Sequence, residues 1–332
     1  MKNFQLYRPT TADAAVGLLE NRFGNTELLA GGTDLLDLQK EYVAQPTRVV
    51  SLSQVAGMSN VGVADKTVTI GASVKLADLA ANTVLRQHFP ALTAAAGEIA
   101  GPQIRNMATL GGNLCQRNRC WYFRDEHTNC LLKGGERCFA LDGENRYHAI
   151  FTQNHRCVIV HPSTLVPVLI ALGASAEILG PNGRRTVEVA RLLRAPTGPA
   201  TREHTVAANE VLTSVTIPRA GLNNAHYEVR QKQSSDWPLV QAAVAFNGGR
   251  NGANATNVKI VLGHVAPTPI VSDAAAIVLN NGTISEATAN AAAIVATQGA
   301  KPLTQNAYKV RLARVAVKRA LLLAAGVRPY WE

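Results

Sequence analysis

All five cysteines of this 332-residue chain, Cys115, Cys120, Cys130, Cys138 and Cys157, fall between residues 115 and 157. A random scatter would crowd them so tightly about one time in a thousand, so the crowding has a cause. Disulfides are a poor one: five is odd, and a chain of this length with 47% hydrophobic residues builds a core without staples. Structural zinc sites favour close pairs of the C-x2–4-C kind. Here the gaps are four, nine, seven and eighteen residues, and only the first pair reaches the edge of that pattern. An iron–sulfur cluster needs four thiolates from a loop that wraps it, and it tolerates irregular spacing.

The composition of the segment suits that use. Trp121, Tyr122 and Phe123 follow Cys120 and would shield a cluster from water, while Arg117, Arg119, Arg124, Lys133 and Arg137 supply cations beside anionic sulfur. Gly134-Gly135 lets the backbone turn close to sulfides, where amides donate hydrogen bonds. Zinc and free regulatory thiols remain open at this point, and His127, His148, His155 and His161 are spare ligand candidates. The residue types leave open whether Cys115, which continues a glycine loop, or an outlier such as Cys157 is the odd cysteine.

Two glycine loops carry the second signal. A helix is expected over 11–19 and a short strand over 27–29, running into Ala30-Gly31-Gly32-Thr33-Asp34; helical periodicity follows over 35–42 and a β-branched strand over 47–52. Strand, Gly-Gly-Thr-Asp and helix start form a backbone cradle for an anion, with a tight turn plus N-cap as the plain alternative. The second loop, Gln103 to Leu114, contains Thr109, Gly111, Gly112 and Asn113 after an Ala-rich helical stretch over 91–100. Two such loops can clamp one extended diphosphate ligand, and a dinucleotide such as FAD fits that description.

Further on, a strand is expected over 158–160, a buried helix over 164–172, and a strand over 174–179 with a Gly-Pro-Asn-Gly hairpin into 186–188. A loop over 196–204 and a strand over 211–217 follow. Beyond a boundary near 220, strands over 239–246 and 258–265 alternate with helices over 273–279, 285–297 and 308–323. The charge balance of +10 invites a nucleic-acid reading, but the cations are scattered and no recognition pattern accompanies them. A solvated face, or docking to acidic partner subunits, is the ordinary account. No apolar run approaches the roughly 20 residues of a membrane span, so no membrane insertion is expected. The first residues, MKNFQLYRP, carry no export signal. The chain is therefore expected in the cytoplasm, or in the periplasm by co-export with a signal-bearing partner.

AGGTDLL at 30–36, QIRNMATLGGNL at 103–114, HPS at 161–163 and YKVRLARVAVKRAL at 308–321 together resemble the FAD-binding medium subunits of molybdenum hydroxylases, the xanthine dehydrogenase and aldehyde oxidoreductase superfamily. The resemblance covers essentially the whole chain. It implies an α+β protein: a two-part FAD-binding domain of the vanillyl-alcohol-oxidase/PCMH type over 1–220, with subdomains over about 1–58 and 59–220, then a smaller α+β domain of the CO dehydrogenase flavoprotein type over 221–332. The stretch from Cys120 to Cys157 is similar to the insertion of the branch that carries a [4Fe-4S] cluster, over about 115–157 here.

The same resemblance implies the FAD diphosphate on Ala30, Gly31, Gly32, Thr33, Asp34, Leu35 and Leu36, and the flavin end near Thr109, Gly111, Gly112 and Asn113. It implies Cys120, Cys130, Cys138 and Cys157 as cluster ligands. Two departures stand out: Thr164 follows HPS where many relatives have Asp, and Glu228 and Lys232 stand where a Lys and an Arg are usual. Thr164 and Lys232 are carried over as cofactor contacts. The implied function is electron transfer from a large molybdenum-cofactor subunit and a small [2Fe–2S] subunit through FAD to an external acceptor, with aldehyde oxidation as the overall reaction and no catalytic residue for the organic substrate in this chain. The rival readings are a stand-alone FAD oxidase with a structural zinc site and a basic nucleic-acid-binding iron–sulfur protein.

Overall fold

The computed structural model describes residues 1–152, 154–232, 235–328 and Trp331. Three sheets follow one another along the chain. The first is parallel: β1 (Gln5–Tyr7), α1 (Ala12–Gly17), β2 (Thr26–Leu29), α2 (Leu35–Lys40) and β3 (Arg48–Ser51), with β3 between β1 and β2. Parallel pairing requires a crossover, and α1 and α2 supply it. Thr11 caps α1 by accepting from the Ala14 amide at 3.1 Å.

The second sheet is antiparallel. Its strands are β4 (Val61–Val63), β5 (Thr67–Gly71), β6 (Ser175–Gly180), β7 (Gly183–Glu188) and β8 (Val211–Pro218), in the order β4-β5-β8-β6-β7. Between β5 and β6 the chain makes α3 (Leu76–Ala81), α4 (Thr83–His88), α5 (Pro90–Glu98), α6 (Pro102–Arg105), α7 (Leu110–Leu114), α8 (Trp121–Arg124) and α9 (Leu165–Ala171); α10 (Val189–Leu192) follows β7. Every residue of α9 is buried.

The third sheet contains β9 (Asn223–Val229), β10 (Val240–Gly248), β11 (Asn254–Gly263), β12 (Ile270–Val271) and β13 (Gly282–Thr283), covered by α11 (Asp273–Leu279), α12 (Glu286–Ala296) and α13 (Tyr308–Ala324). Strand alternation divides β10 between two cores. Ala243 and Ala245 join the cluster containing α9 and the second sheet, while Ala242, Val244 and Phe246 face α12 and α13. This sheet is thus apolar on both faces and fixes the C-terminal domain against the first. Among the described residues, no helix is long and apolar enough to cross a membrane.

One local expectation fails, and one strand was not anticipated, each for a physical reason. The β-branched run over 158–160 is not a strand. The Val158 amide is given to the Cys138 sulfur and the Ile159 amide to Cys157, so no ladder forms. Strand β9 escaped a hydrophobic pattern because its inward face carries Asn224 and His226. Asn224 accepts from the Ala91 amide at 3.0 Å and donates to Leu222 at 2.8 Å, so its burial leaves no orphan.

Candidate functional site

The two glycine loops meet. Ala30, Gly31, Gly32, Thr33, Asp34 and Leu35 line a cleft that Thr109, Gly111 and Gly112 also line. Leu36 packs beneath Gly32 instead of lining it. Among the described residues, the amides of Gly31, Gly32, Thr33 and Asp34 have no protein acceptor. Consecutive free N–H groups form a concave donor array that suits a diphosphate. The second loop differs: Gly112 donates to Thr109 Oγ1 at 3.1 Å and Gly111 to the Ala72 carbonyl at 2.8 Å. Those two amides are satisfied, so this stretch is a capped helix start, and the run of consecutive free amides lies in the first loop.

Asp34 faces the insertion as well as the cleft. Its carboxylate accepts from the Arg117 amide at 2.8 Å, from Arg124 at 2.6 Å and from Arg119 at 3.0 Å; Arg124 also reaches Asp37 at 2.7 Å. Arg117 turns to Glu203, fully buried, at 2.8 Å, and Asn118 gives Glu203 two further hydrogen bonds. Burial alone pushes the Glu203 carboxyl up, but Arg117 and Asn118 outweigh it and hold it below the usual carboxylate range. Of the arginines expected beside sulfur, Arg117, Arg119 and Arg124 are therefore engaged by carboxylates, and Arg119 and Arg124 fasten the cysteine segment to the first loop, whereas Arg137 stacks on Phe139.

The cysteines divide four to one. Cys115 lines the cleft, and burial pushes its thiol up to about 12 with no other thiol acting on it. Cys120 feels Cys138 and Cys130, Cys157 feels Cys120, and Cys138 and Cys157 act on each other. The Cys157 thiol, against burial, holds Cys138 below the usual thiol range, and Cys138 together with burial pushes Cys157 up. Burial pushes Cys120 up to about 12 although the Phe123 and Tyr122 amides point at it. Phe123, Leu132 and Ile159 pack against Cys130 and Cys157; Leu131, Ala140 and Val158 pack against Cys138. A Cβ on Gly135 would stand 1.8 Å from the Asn129 carbonyl, so this crossing of the loop requires glycine.

Among the described residues, no three of these sulfurs stand within 4.8 Å of one another. A tetrahedral zinc with Zn–S near ~2.3 Å needs sulfurs about 3.8 Å apart. The four thiols are apolar-walled and more widely spaced than a single zinc ion requires. Of the spare histidines, His127 is exposed beside Glu126 and His161 Nδ1 accepts from the Ser163 amide at 3.3 Å. His148 alone touches a thiol: its Nε2 is 3.2 Å from Cys120 Sγ.

Asn113 and Thr164 are buried and are not among the residues lining this cleft. Asn113 Oδ1 accepts from Ser163 Oγ at 2.6 Å, which ties the second loop to the HPS segment, and the Thr164 carbonyl accepts from Gln241 Nε2 at 2.8 Å. Lys232 is exposed, its amide on Asp236 at 3.1 Å, and Gln233 and Ser234 beside it lie outside the described residues. Glu228 is buried between Arg230 and Glu98. Burial, then Glu98, push its carboxyl up to about 8 against the pull of Arg230. Glu98, His226 and Glu228 have ligand atoms within 4.8 Å. However, Gln241 Nε2, pinned by Thr164, faces His226 Nδ1 at 3.5 Å. The proton is thereby left on Nε2 facing Glu98, and the group is a hydrogen-bonding cluster rather than a metal site.

Residues 2–220 match the family described as the FAD binding domain in molybdopterin dehydrogenase, and residues 225–324 the CO dehydrogenase flavoprotein C-terminal domain. The chain is 31% identical over 318 residues to the aldehyde oxidoreductase FAD-binding subunit PaoB of Escherichia coli (strain K12), covering 95% of this chain and 96% of that one. It is 27% identical over 324 residues to the carbon monoxide dehydrogenase medium chain of Hydrogenophaga pseudoflava, covering 96% of each. The solved structure of carbon monoxide dehydrogenase from that organism superposes with a TM-score of 0.75 at 26% identity, covering 98% of both chains. This oxidoreductase chain accordingly belongs to the family of FAD-binding medium subunits of the molybdenum hydroxylases.

Proposed function

We propose that this chain is the flavin- and iron–sulfur-carrying subunit of a heterotrimeric, aldehyde-oxidising molybdenum hydroxylase. In that role it receives electrons from molybdenum and [2Fe–2S] partner subunits and delivers them to an external acceptor. When bound, FAD exchanges one or two electrons and a [4Fe-4S] cluster one. The chain's own work is to bind, space and shield. The free amides of the first loop hold the diphosphate, and Thr109, Gly111 and Gly112 line the same cleft. Cys120, Cys130, Cys138 and Cys157 would hold the cluster, and the clustered amides would solvate its sulfur.

The observation that carries this reading is the convergence of four thiols a few residues from the FAD cleft. Cys115 lines the cleft, and Cys120 lies five positions on, so their Cα atoms are at most about 18 Å apart. The identity to an aldehyde oxidoreductase subunit supports the substrate class. The spacing of the sulfurs disfavours the zinc-bearing oxidase.

Iron, sulfide and flavin analysis of the complex purified with its partners tests the assignment, with Cys115→Ser and Cys120→Ser alongside. Four irons beyond those of the partner [2Fe–2S] centres and one flavin per chain are expected, with those four lost only in the Cys120 variant. Iron that only matches the [2Fe–2S] centres in the wild type, or four irons lost equally from both variants, overturns it.

A further inference from the structure

Among the described residues, His148 is the one imidazole that reaches the thiol centre, and three parts of the fold hold it there. Its amide donates to the Asn145 carbonyl at 3.0 Å. Its carbonyl accepts from Lys309 Nζ at 3.0 Å and Asn306 Nδ2 at 3.1 Å, both from the C-terminal domain. Its ring stands edge-on to Trp121, with centroids 5.4 Å apart. The residue is only 4% exposed. A side chain fixed this thoroughly has one use for Nε2, which lies 3.2 Å from Cys120 Sγ.

The tautomer follows. Nδ1 has no partner among the described residues, and a sulfur bound to iron can only accept. A neutral imidazole therefore carries its single proton on Nε2, aimed at the sulfur. We propose that His148 is a potential-setting residue of the iron–sulfur centre, acting through an Nε2–H···Sγ hydrogen bond to Cys120, with Lys309 and Asn306 of the C-terminal domain fixing its position. The inference rests on the cluster assignment above. One electron entering the cluster adds negative charge to its thiolates and strengthens the bond, so the donor favours the reduced state and raises the midpoint potential. The proton stays on Nε2 throughout.

The test uses the intact complex and three forms of the chain: wild type, His148→Phe without a donor, and His148→Gln, whose amide can still donate. Redox titration with dithionite, followed by EPR of the reduced cluster, is expected to move the cluster midpoint downward in the Phe variant and restore it toward wild type in the Gln variant. The flavin midpoint should not change. In the wild type, the reduced cluster should also couple to an exchangeable proton and to a histidine nitrogen in 15N-His-labelled protein. That second measurement decides the matter even if the Phe variant fails to assemble its cluster. Iron present but no such coupling, or equal midpoints in all three forms, overturns the role of His148 and leaves the cluster standing. A wild type whose iron and EPR signals are those of the [2Fe–2S] centres alone overturns both.

Discussion

Gly31 lies so close to Met107 that a Cβ on it would stand 2.0 Å from the Met107 carbonyl oxygen. The first loop therefore touches the backbone that leads into the second, and the cleft wall depends on that approach.

Gly31→Ala is expected to push the loops apart, with an overpacking cost of about 1–3 kcal/mol. FAD retention should fall by roughly 10- to 100-fold, since ~1.4 kcal/mol is a factor of ten. Gly17→Ala, where a Cβ meets nothing within 4 Å, is the control. Flavin content after gel filtration and fluorescence titration with FAD read the difference; equal affinities in both variants would contradict the clamp.

Glu203 and Arg117 form the buried joint between the cysteine segment and the body of the domain. Removing one partner strands a charge, so Glu203→Ala is expected to cost about 3–5 kcal/mol in urea unfolding. Glu203→Gln retains an acceptor for Asn118 and should cost less. Identical midpoints for these two variants would mean that the ion pair carries none of the stability.

Lys309 is buried in α13, and its Nζ donates to the carbonyls of Tyr147, His148 and His264. Burial pushes it down to about 7. Lys309→Met fills the volume but leaves the Tyr147 and His264 carbonyls without this donor, while His148 keeps Asn306, at an expected cost of about 2–3 kcal/mol. Protease cleavage within 143–157 should accelerate, because this residue ties that stretch to the C-terminal domain. Unchanged cleavage would disprove the tie.

Burial pushes His204 down to about 4 and His161 and His264 to about 3, against an ordinary value of 6.5. Below pH 6.5 the unfolded chain takes up protons that the folded chain refuses, so unfolding free energy must fall as pH drops from about 6.5 to 4. Each unit of separation contributes roughly 1.4 kcal/mol per group. Urea midpoints at pH 7, 6 and 5 measure the slope, and His264→Asn should flatten it. An unchanged slope in that variant would mean that its imidazole is charged in the native state.

Most helices were legible because their signals are local. Thr11 caps α1, Ser285 and Thr288 form the capping box of α12, and the apolar run of α9 is buried as its composition demands. Local pattern failed where backbone groups answer to distant partners. The amides of Val158 and Ile159 serve sulfur, and Asn224 and His226 face inward because β9 lies against α5.

By itself, the order of residues determined the crowding of the cysteines, the two glycine loops and the family likeness, since each is a matter of residue type and spacing along the chain. Only the tertiary structure decided which loop keeps its amides free, that Cys115 stands apart from the other four, and that Arg117, Arg119 and Arg124 answer Glu203, Asp34 and Asp37 rather than sulfur. Those outcomes depend on which charges and hydrogen-bonding groups meet once remote segments pack, and no spacing along the chain encodes that distance.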